Sequence, residues 1–79
     1  MTRKRYIKLL MACGTGRSQA IWNARYVQAY RASYRGDLVC WLSLSFAAMP
    51  WAQTDEQRSV LRRRAAILKR ALYGEVAHE

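Results

Sequence analysis

The sequence predicts an all-α protein, a compact single domain of three to four helices that spans residues 1–79. One Pro and four Gly leave long stretches of the chain free to be helical. Residues suited to helix N-caps stand before runs in which apolar residues recur at helical spacing. The hydrophobic fraction of 52% is too high for a disordered chain, even at a net charge of +9. Seventy-nine residues leave no room for a second core.

The first helix is predicted over about 3–13, between an N-cap at Thr2 and a terminating glycine at Gly14. Its apolar residues follow spacings of three, four and seven, which is typical of a helix with one buried face. They are Tyr6, Leu9, Leu10 and Cys13, with Ile7 on the flank.

The second helix, about 17–31, follows the tight turn Gly14-Thr15-Gly16, and Thr15 or Ser18 is its expected cap. One face carries Ala20, Ile21, Ala24, Val27 and Gln28. An adjacent face carries aromatic rings four residues apart, at Trp22, Tyr26 and Tyr30. This aromatic stripe has two interpretations. It belongs to the core, because large rings dominate small cores, or it is a stacking platform for unpaired bases.

The first helix, the short turn and the second helix also suggest a helix-turn-helix DNA-binding motif. In such a motif Arg17, Ser18, Gln19 and Asn23 would face nucleobases and phosphates. Two positions do not fit that pattern. Leu10 stands where the first helix needs a small residue, and Asn23 stands where the second helix packs a hydrophobic residue. An ordinary helical hairpin is therefore favoured.

Residues 38–46 alternate like a strand at their end but also fit a helix with one apolar face. A lone strand would find no partner in this chain, so a largely buried helix over about 35–48 is favoured. Ser33 is its expected N-cap, and Pro50 ends it. The predicted apolar face consists of Leu38, Trp41, Leu42, Ser45, Phe46 and Met49.

The fourth helix, about 55–73, has the clearest local signal. Thr54-Asp55-Glu56-Gln57 is a capping box, Gly74 is suited to the residue after the helix, and 75–79 is expected to be a frayed tail. Arg64 is expected at the edge of the core, with its apolar stem packed. The predicted core stripe is Val60, Leu61, Ala65, Leu68 and Leu72, with Ile67.

Charge is distributed in blocks. Residues 1–36 contain eight basic and no acidic side chains, residues 37–57 contain three acidic and no basic ones, and residues 58–70 contain six basic ones. A single-sign run of this length repels itself, which suggests a polyanionic partner. Eleven of the fourteen bases are Arg, which binds phosphate bidentately and stacks on rings.

The candidate binding residues for nucleic acid or an acidic partner are the Arg and Lys side chains expected on helix surfaces. They are Arg3, Lys4, Arg5, Lys8, Arg17, Arg25, Arg31, Arg62, Arg63, Lys69 and Arg70, with Trp22, Tyr26 and Tyr30 as candidate stacking residues. The bases of the fourth helix cannot form one narrow stripe, because successive residues lie about 100° apart around a helix. A merely solvated helix face is the alternative interpretation.

Several classes of function find no support. Cys13 and Cys40 are interpreted as small buried residues in a reducing compartment, with a disulfide between them as the alternative. Together with His78 in the tail they do not complete a tetrahedral metal site, so no metal is expected. No phosphate-cradling glycine loop and no spaced nucleophile–base pair is present, so neither a cofactor nor an enzyme is expected.

The cellular compartment is expected to be the cytoplasm. The apolar run 38–52 is 15 residues long, which is short for a membrane span. The apolar stretch 6–10 is too short for the core of a signal peptide, although 10–14 looks like a lipoprotein cleavage box. No membrane partner is therefore expected. A homodimer stays open, because a core of this size gives marginal stability alone.

The opening residues carry a resemblance to a group of known proteins. Arg3-Lys4-Arg5-Tyr6-Ile7-Lys8-Leu9-Leu10-Met11, followed by Gly14, Arg17 and Ala20, resembles the start of small basic proteins encoded by bacterial phages and mobile elements. These proteins have no settled function, so the resemblance assigns no site residue. It implies a phage-type accessory protein, a group that includes inhibitors of host defence systems.

Two hypotheses of function follow. The leading one is a non-enzymatic protein that binds DNA or RNA mainly through phosphate contacts. The alternative is a phage-encoded inhibitor of a host defence complex, of the anti-CRISPR type, that binds an acidic protein or ribonucleoprotein surface. The sequence does not separate them, since an acidic groove and a phosphate backbone attract the same arginines.

Overall fold

Four α-helices and one 3₁₀ turn make up the fold. The computed structural model describes residues 1–30 and 32–74, and that part of the chain contains no strand. The all-α prediction is therefore confirmed, including a helix at residues 38–46. Arg31, His78 and the predicted frayed tail 75–79 lie outside the described residues. The helices are α1 (Arg3–Ala12), α2 (Arg17–Ala29), α3 (Tyr34–Ala48) and α4 (Asp55–Tyr73), and the 3₁₀ turn Met49–Trp51 joins the last two.

Three of the four helices begin at the predicted side-chain cap. The hydroxyls of Thr2, Ser33 and Thr54 accept from the N–H groups of Arg5, Gly36 and Gln57 at 3.2, 3.1 and 3.0 Å. Helix α2 has no side-chain cap, so the prediction that Thr15 or Ser18 caps it is wrong. The reason is that its N-cap position falls on Gly16, which has no side chain to offer.

The end of α4 and the turn after α1 use glycine for its conformational freedom. Gly14 has a φ of 101° and Gly74 a φ of 65°, a region that residues with a Cβ rarely adopt. At the start of α4 the Gln57 side chain reaches past the cap and accepts from the N–H of Gln53 at 2.7 Å. Helix α4 therefore begins and ends where predicted, but the second hydrogen bond of the predicted capping box goes to Gln53 rather than to Thr54.

The core is small and lies in a flat molecule of 36 × 35 × 18 Å. Helix α1 touches each of the other three helices. Helices α3 and α4 run antiparallel, because Arg35 at the start of α3 lies over the Tyr73 ring at the end of α4, at 5.7 Å. The buried apolar residues are Tyr6, Leu10, Cys13, Ala20, Ala24, Val27, Leu38, Leu42, Ala65, Leu68 and Leu72.

Besides the aromatic stripe of the second helix, three side chains predicted to be buried are exposed. Val60 and Phe46 are 50% and 51% exposed, and Cys40 also faces solvent. Each lies beside the face that its helix buries. Phe46 follows buried Ser45, and a step of one residue turns a side chain about 100°. Cys13 is buried as predicted, and both cysteines are free thiols.

The assignment of the α4 core face is testable with two truncations. Leu68 is fully buried, so Leu68→Ala should lower the free energy of unfolding by about 2–5 kcal/mol through lost packing and a residual cavity. Val60→Ala is the matched control, since half of that side chain is already in water, and it should change stability by less than about 0.5 kcal/mol. Urea denaturation measures both, and equal losses would contradict the assignment.

Candidate nucleic-acid interface

Trp22 and Tyr26 of α2, with Tyr30 directly after the helix, form an exposed row of rings, named here the aromatic ladder. Trp22, Tyr26 and Tyr30 are 58%, 51% and 70% exposed. The ring centroids of Trp22 and Tyr26 lie 5.4 Å apart at 23°, and those of Tyr26 and Tyr30 lie 4.5 Å apart at 40°. The interpretation of this stripe as core is wrong. Its rings stack on one another at the surface.

Small residues explain why the ladder is outside. Helix α2 contacts α1, and the face that α2 buries consists of Ala20 and Ala24, both fully buried, and Val27. Alanine side chains allow the two helices to approach closely, so the rings of an adjacent face have no room between them. Both the small-residue face and the aromatic face of α2 can be identified in the sequence, but only the structure shows which of the two is buried.

The basic candidate residues lie on the surfaces of three helices. All those in the described part of the chain are exposed. The salt bridge that the described residues form joins Arg58 and Asp55 at 2.7 Å, so most of the candidate bases have no acidic partner there. The candidates without a salt bridge in the described part are Arg3, Lys4, Arg5, Lys8, Arg17, Arg25, Arg62, Arg63 and Lys69. Arg31 lies outside the described residues, so its predicted role has no structural counterpart.

The basic side chains are spread over several faces, and one of them lies near the turn that joins α1 and α2. Arg63 of α4 lines the same cavity as Gly14, which precedes α2 and its first residue Arg17. Arg25 lies about 60° around α2 from Trp22, so a basic side chain flanks the aromatic ladder. The bases of α4 form two rows seven residues apart, Arg62 with Lys69 and Arg63 with Arg70. The basic surface is therefore broad rather than a single stripe.

Arg64 has a different position from its neighbours. As predicted, it lies at the edge of the core, half-buried, and its guanidinium lies 5.8 Å from the centre of the Trp41 ring. One of its terminal nitrogens donates to the Cys13 carbonyl at 3.5 Å, which ties α4 to the end of α1. Burial raises the pKa of the Cys13 thiol, and the charge of Arg64 offsets part of that rise. Arg64 therefore joins helices rather than extending the basic surface.

A hydrogen bond between α1 and α3 lies beside the ladder. The Tyr6 hydroxyl donates to the Asp37 carboxylate at 2.6 Å, and the Tyr34 ring packs against the Tyr6 ring at 4.9 Å. Burial raises the pKa of Tyr6 far above its ordinary value, and the hydrogen bond to Asp37 and its negative charge raise it further. Tyr6 therefore stays protonated and acts as a donor. No local sequence pattern indicates this pair, since its members stand 31 residues apart.

A small cavity opens between α1, α2 and α3 next to this hydrogen bond. Its volume is about 210 Å³. Rings of Trp22, Tyr26 and Trp41 line it together with Asp37 and Asn23. Asn23 is half-buried, and its carbonyl oxygen accepts from the Gln19 side chain at 2.9 Å. This cavity, named here the inter-helix cavity, brings acidic, amide and aromatic groups together.

An apolar groove lies on another part of the surface, between the 3₁₀ turn and α4. It has a volume of about 700 Å³, and Ala48, Trp51, Val60 and Leu61 are among its lining residues. Trp51 is 82% exposed. Exposed apolar surface of this kind is typical of a protein–protein contact.

The described residues offer little for metal or membrane chemistry. Within residues 1–30 and 32–74 no three His, Cys, Asp or Glu side chains are grouped so that they could hold a metal ion. In the same part of the chain no helix has both the length and the hydropathy needed to cross a bilayer. Comparisons with protein-family models, with curated proteins and with solved structures found no match for this chain. The resemblance to phage-encoded proteins therefore stays a prediction.

The Tyr6–Asp37 hydrogen bond makes a pH-dependent prediction. Tyr6→Phe should lower the free energy of unfolding by about 1.5–3 kcal/mol at pH 7, the usual value of a hydrogen bond to a charged group. The raised pKa of folded Tyr6 means that this contribution is complete below about pH 10, where unfolded tyrosine is protonated. It is lost as the pH rises further, because the unfolded state ionises first.

Denaturation at several pH values between 8 and 11 measures this effect. The difference in stability between wild type and Tyr6→Phe should shrink above about pH 10. Tyr30→Phe removes an exposed hydroxyl that has no hydrogen-bond partner among the described residues, so its stability should follow that of the wild type throughout. A constant difference between wild type and Tyr6→Phe across this range would show that the hydroxyl does not donate to Asp37 in solution.

Proposed function

We propose that this chain is a non-enzymatic, cytoplasmic protein that binds nucleic acid mainly through phosphate contacts and prefers single strands. The observation that carries the proposal is the exposed aromatic ladder, which Arg25 flanks, on a surface where most basic side chains have no acidic partner in the described residues. Single-stranded nucleic acids are bound by this combination, in which rings stack on bases and cations follow the backbone.

The charge pattern supports phosphate contacts. Arg and Lys that neutralise phosphates release counterions, and this term supplies most of the affinity in sequence-independent binding. The basic side chains of α1, α2 and α4 are mostly exposed, and the net charge of +9 increases the rate of encounter with any polyanion. The resemblance of residues 3–20 to phage-encoded proteins is consistent with this role and does not specify it further.

Oligonucleotide titration at several salt concentrations tests the proposal. Changing Arg62, Arg63 and Lys69 together to Gln should flatten the dependence of log affinity on log salt by roughly two to three units, since each contact contributes about 0.7–0.9. Tyr30→Ala should weaken binding to single strands by about 1–3 kcal/mol and leave duplex binding nearly unchanged. Arg58→Gln is the matched control, because Arg58 is already paired with Asp55, and it should leave the slope unchanged.

Two results would contradict the proposal. One is the absence of binding to any oligonucleotide at about 50 mM salt, where phosphate contacts are strong. The other is binding that is equal for single strands and duplexes and unaffected by Tyr30→Ala, which would leave phosphate attraction without a role for the ladder. Thermal denaturation of each variant confirms that the fold survives, since exposed charges contribute little to stability.

The apolar groove favours a second candidate function. Trp51 and Val60, which line this groove, are exposed by half or more, and Arg63 lines an adjacent cavity with Val60. Such a surface fits a partner protein that is apolar at its centre and acidic at its rim. The candidate is an inhibitor of a host defence complex, of the anti-CRISPR type, that docks through this face.

Affinity capture from the native host after nuclease treatment tests this second candidate. A partner identified by mass spectrometry should survive the nuclease and disappear with Trp51→Ala, whose side chain is 82% exposed and contributes little to the fold. Tyr30→Ala, on the aromatic ladder, is the control and should retain the partner. Loss of every captured protein on nuclease treatment would exclude this function and favour nucleic-acid binding.

A further inference from the structure

We propose that the inter-helix cavity receives one unpaired guanine base, and that Asp37 reads its Watson–Crick edge. The inference rests on the proposed function, because a base reaches this cavity as part of a bound strand. It goes further by naming a specificity that phosphate contacts cannot provide. The cavity, the groups that line it and the charge around it each support it.

The size and the walls of the cavity suit one flat ring system. Its volume of about 210 Å³ is below the roughly 300–1,000 Å³ of sites for drug-sized ligands. Trp22 and Tyr26 line it from α2 and Trp41 lines it from α3. Trp22 and Tyr26 also belong to the exposed ladder, so a strand that stacks on the ladder passes the mouth of the cavity.

The polar groups of the cavity match guanine better than the other bases. One Asp37 oxygen accepts from Tyr6 at 2.6 Å, and the other has no hydrogen bond in the described part of the chain. A carboxylate accepts at both oxygens and has about four lone-pair sites, so Asp37 retains capacity for two N–H donors. Guanine alone among the common bases presents two adjacent N–H donors, N1–H and the N2 amino group.

Asn23 completes the match. Its carbonyl oxygen accepts from Gln19 at 2.9 Å, while its amide NH₂ has no partner among the described residues. That NH₂ can donate to the guanine O6 atom, which lies beside N1–H on the same edge. Adenine and cytosine would place a ring-nitrogen acceptor against the Asp37 carboxylate, which is repulsive. The cavity therefore combines an acceptor and a donor in the pattern that guanine requires.

The net charge of the protein indicates whether a nucleobase or a cation occupies the inter-helix cavity. Aromatic walls with a carboxylate also suit an ammonium group. The chain has a net charge of +9, however, and residues 1–36 contribute +8 of it, so the long-range field repels a cation. The same field attracts a base that is carried on a phosphate backbone. A nucleobase is therefore the occupant that the charge of the whole molecule favours.

Titration of labelled thymidine oligonucleotides that contain one central dG, inosine, dA or dC tests the proposal. The wild type should bind the dG strand most tightly, by about five- to hundredfold over dA and dC, the usual range for one bidentate base contact. Inosine lacks the N2 amino group and should bind with intermediate affinity. Asp37→Asn should remove the preference, because its amide presents donors to the donors of guanine.

Tyr6→Phe is the matched control for the structural role of Asp37. It removes the hydrogen bond that holds the Asp37 carboxylate in place but keeps the carboxylate itself, so the preference for dG over dA should fall less than in Asp37→Asn and should not be lost. A dG preference that survives Asp37→Asn, or a wild type that binds all four strands equally, would overturn the guanine site and leave the proposed function intact.

Two further results overturn the proposal in different ways. Absence of binding to every strand would remove the guanine site and the proposed function together. Competition by choline chloride that exceeds the effect of sodium chloride at the same concentration, and that is lost in Asp37→Asn, would assign the cavity to a cation instead.

Discussion

The 18 Å thickness of the molecule constrains every other feature of its structure. A helix with its side chains is about 10–12 Å across, so two layers fill the thickness and each helix keeps one side in solvent. Each helix therefore buries a narrow face, such as Ala65, Leu68 and Leu72 on α4. Apolar residues beside these faces have nowhere to pack. This is why the aromatic ladder and the apolar groove both lie at the surface.

Within this thin core, Tyr6 connects stability with the candidate site. Its ring is completely buried among α1, α2 and α3, and its hydroxyl ends at the Asp37 carboxylate on the wall of the inter-helix cavity. A buried hydroxyl needs such a partner, because an unpaired polar group in the interior costs about 1–3 kcal/mol. The hydrogen bond also fixes where the carboxylate points. One interaction therefore stabilises the packing of α1 on α3 and positions the acidic group of the cavity.

The fold could be predicted from the sequence because its signals are local. Caps at Thr2, Ser33 and Thr54 and the glycines that end α1 and α4 depend on neighbours within a few residues. The buried faces were harder to predict, since Val60 and Phe46 are as apolar as the core and differ only in which side of a thin bundle they face. The inter-helix cavity could not be predicted at all. It depends on contacts such as Tyr6–Asp37, whose members stand 31 residues apart.

Exposed aromatic rings are stronger evidence for a ligand than exposed Arg and Lys side chains are. Arg and Lys on a surface are well solvated, and a salt bridge there contributes about 1 kcal/mol or less. Basic side chains without a salt bridge therefore do not by themselves indicate a partner. Aromatic side chains are different, because burying one fully is worth about 1.5–3 kcal/mol. The aromatic ladder forgoes much of that stabilisation in a protein whose core is already small. An interface that contacts only phosphates would gain nothing from the three rings, whereas stacked nucleobases would cover them. The aromatic ladder and the basic side chains together therefore favour a single-stranded nucleic acid.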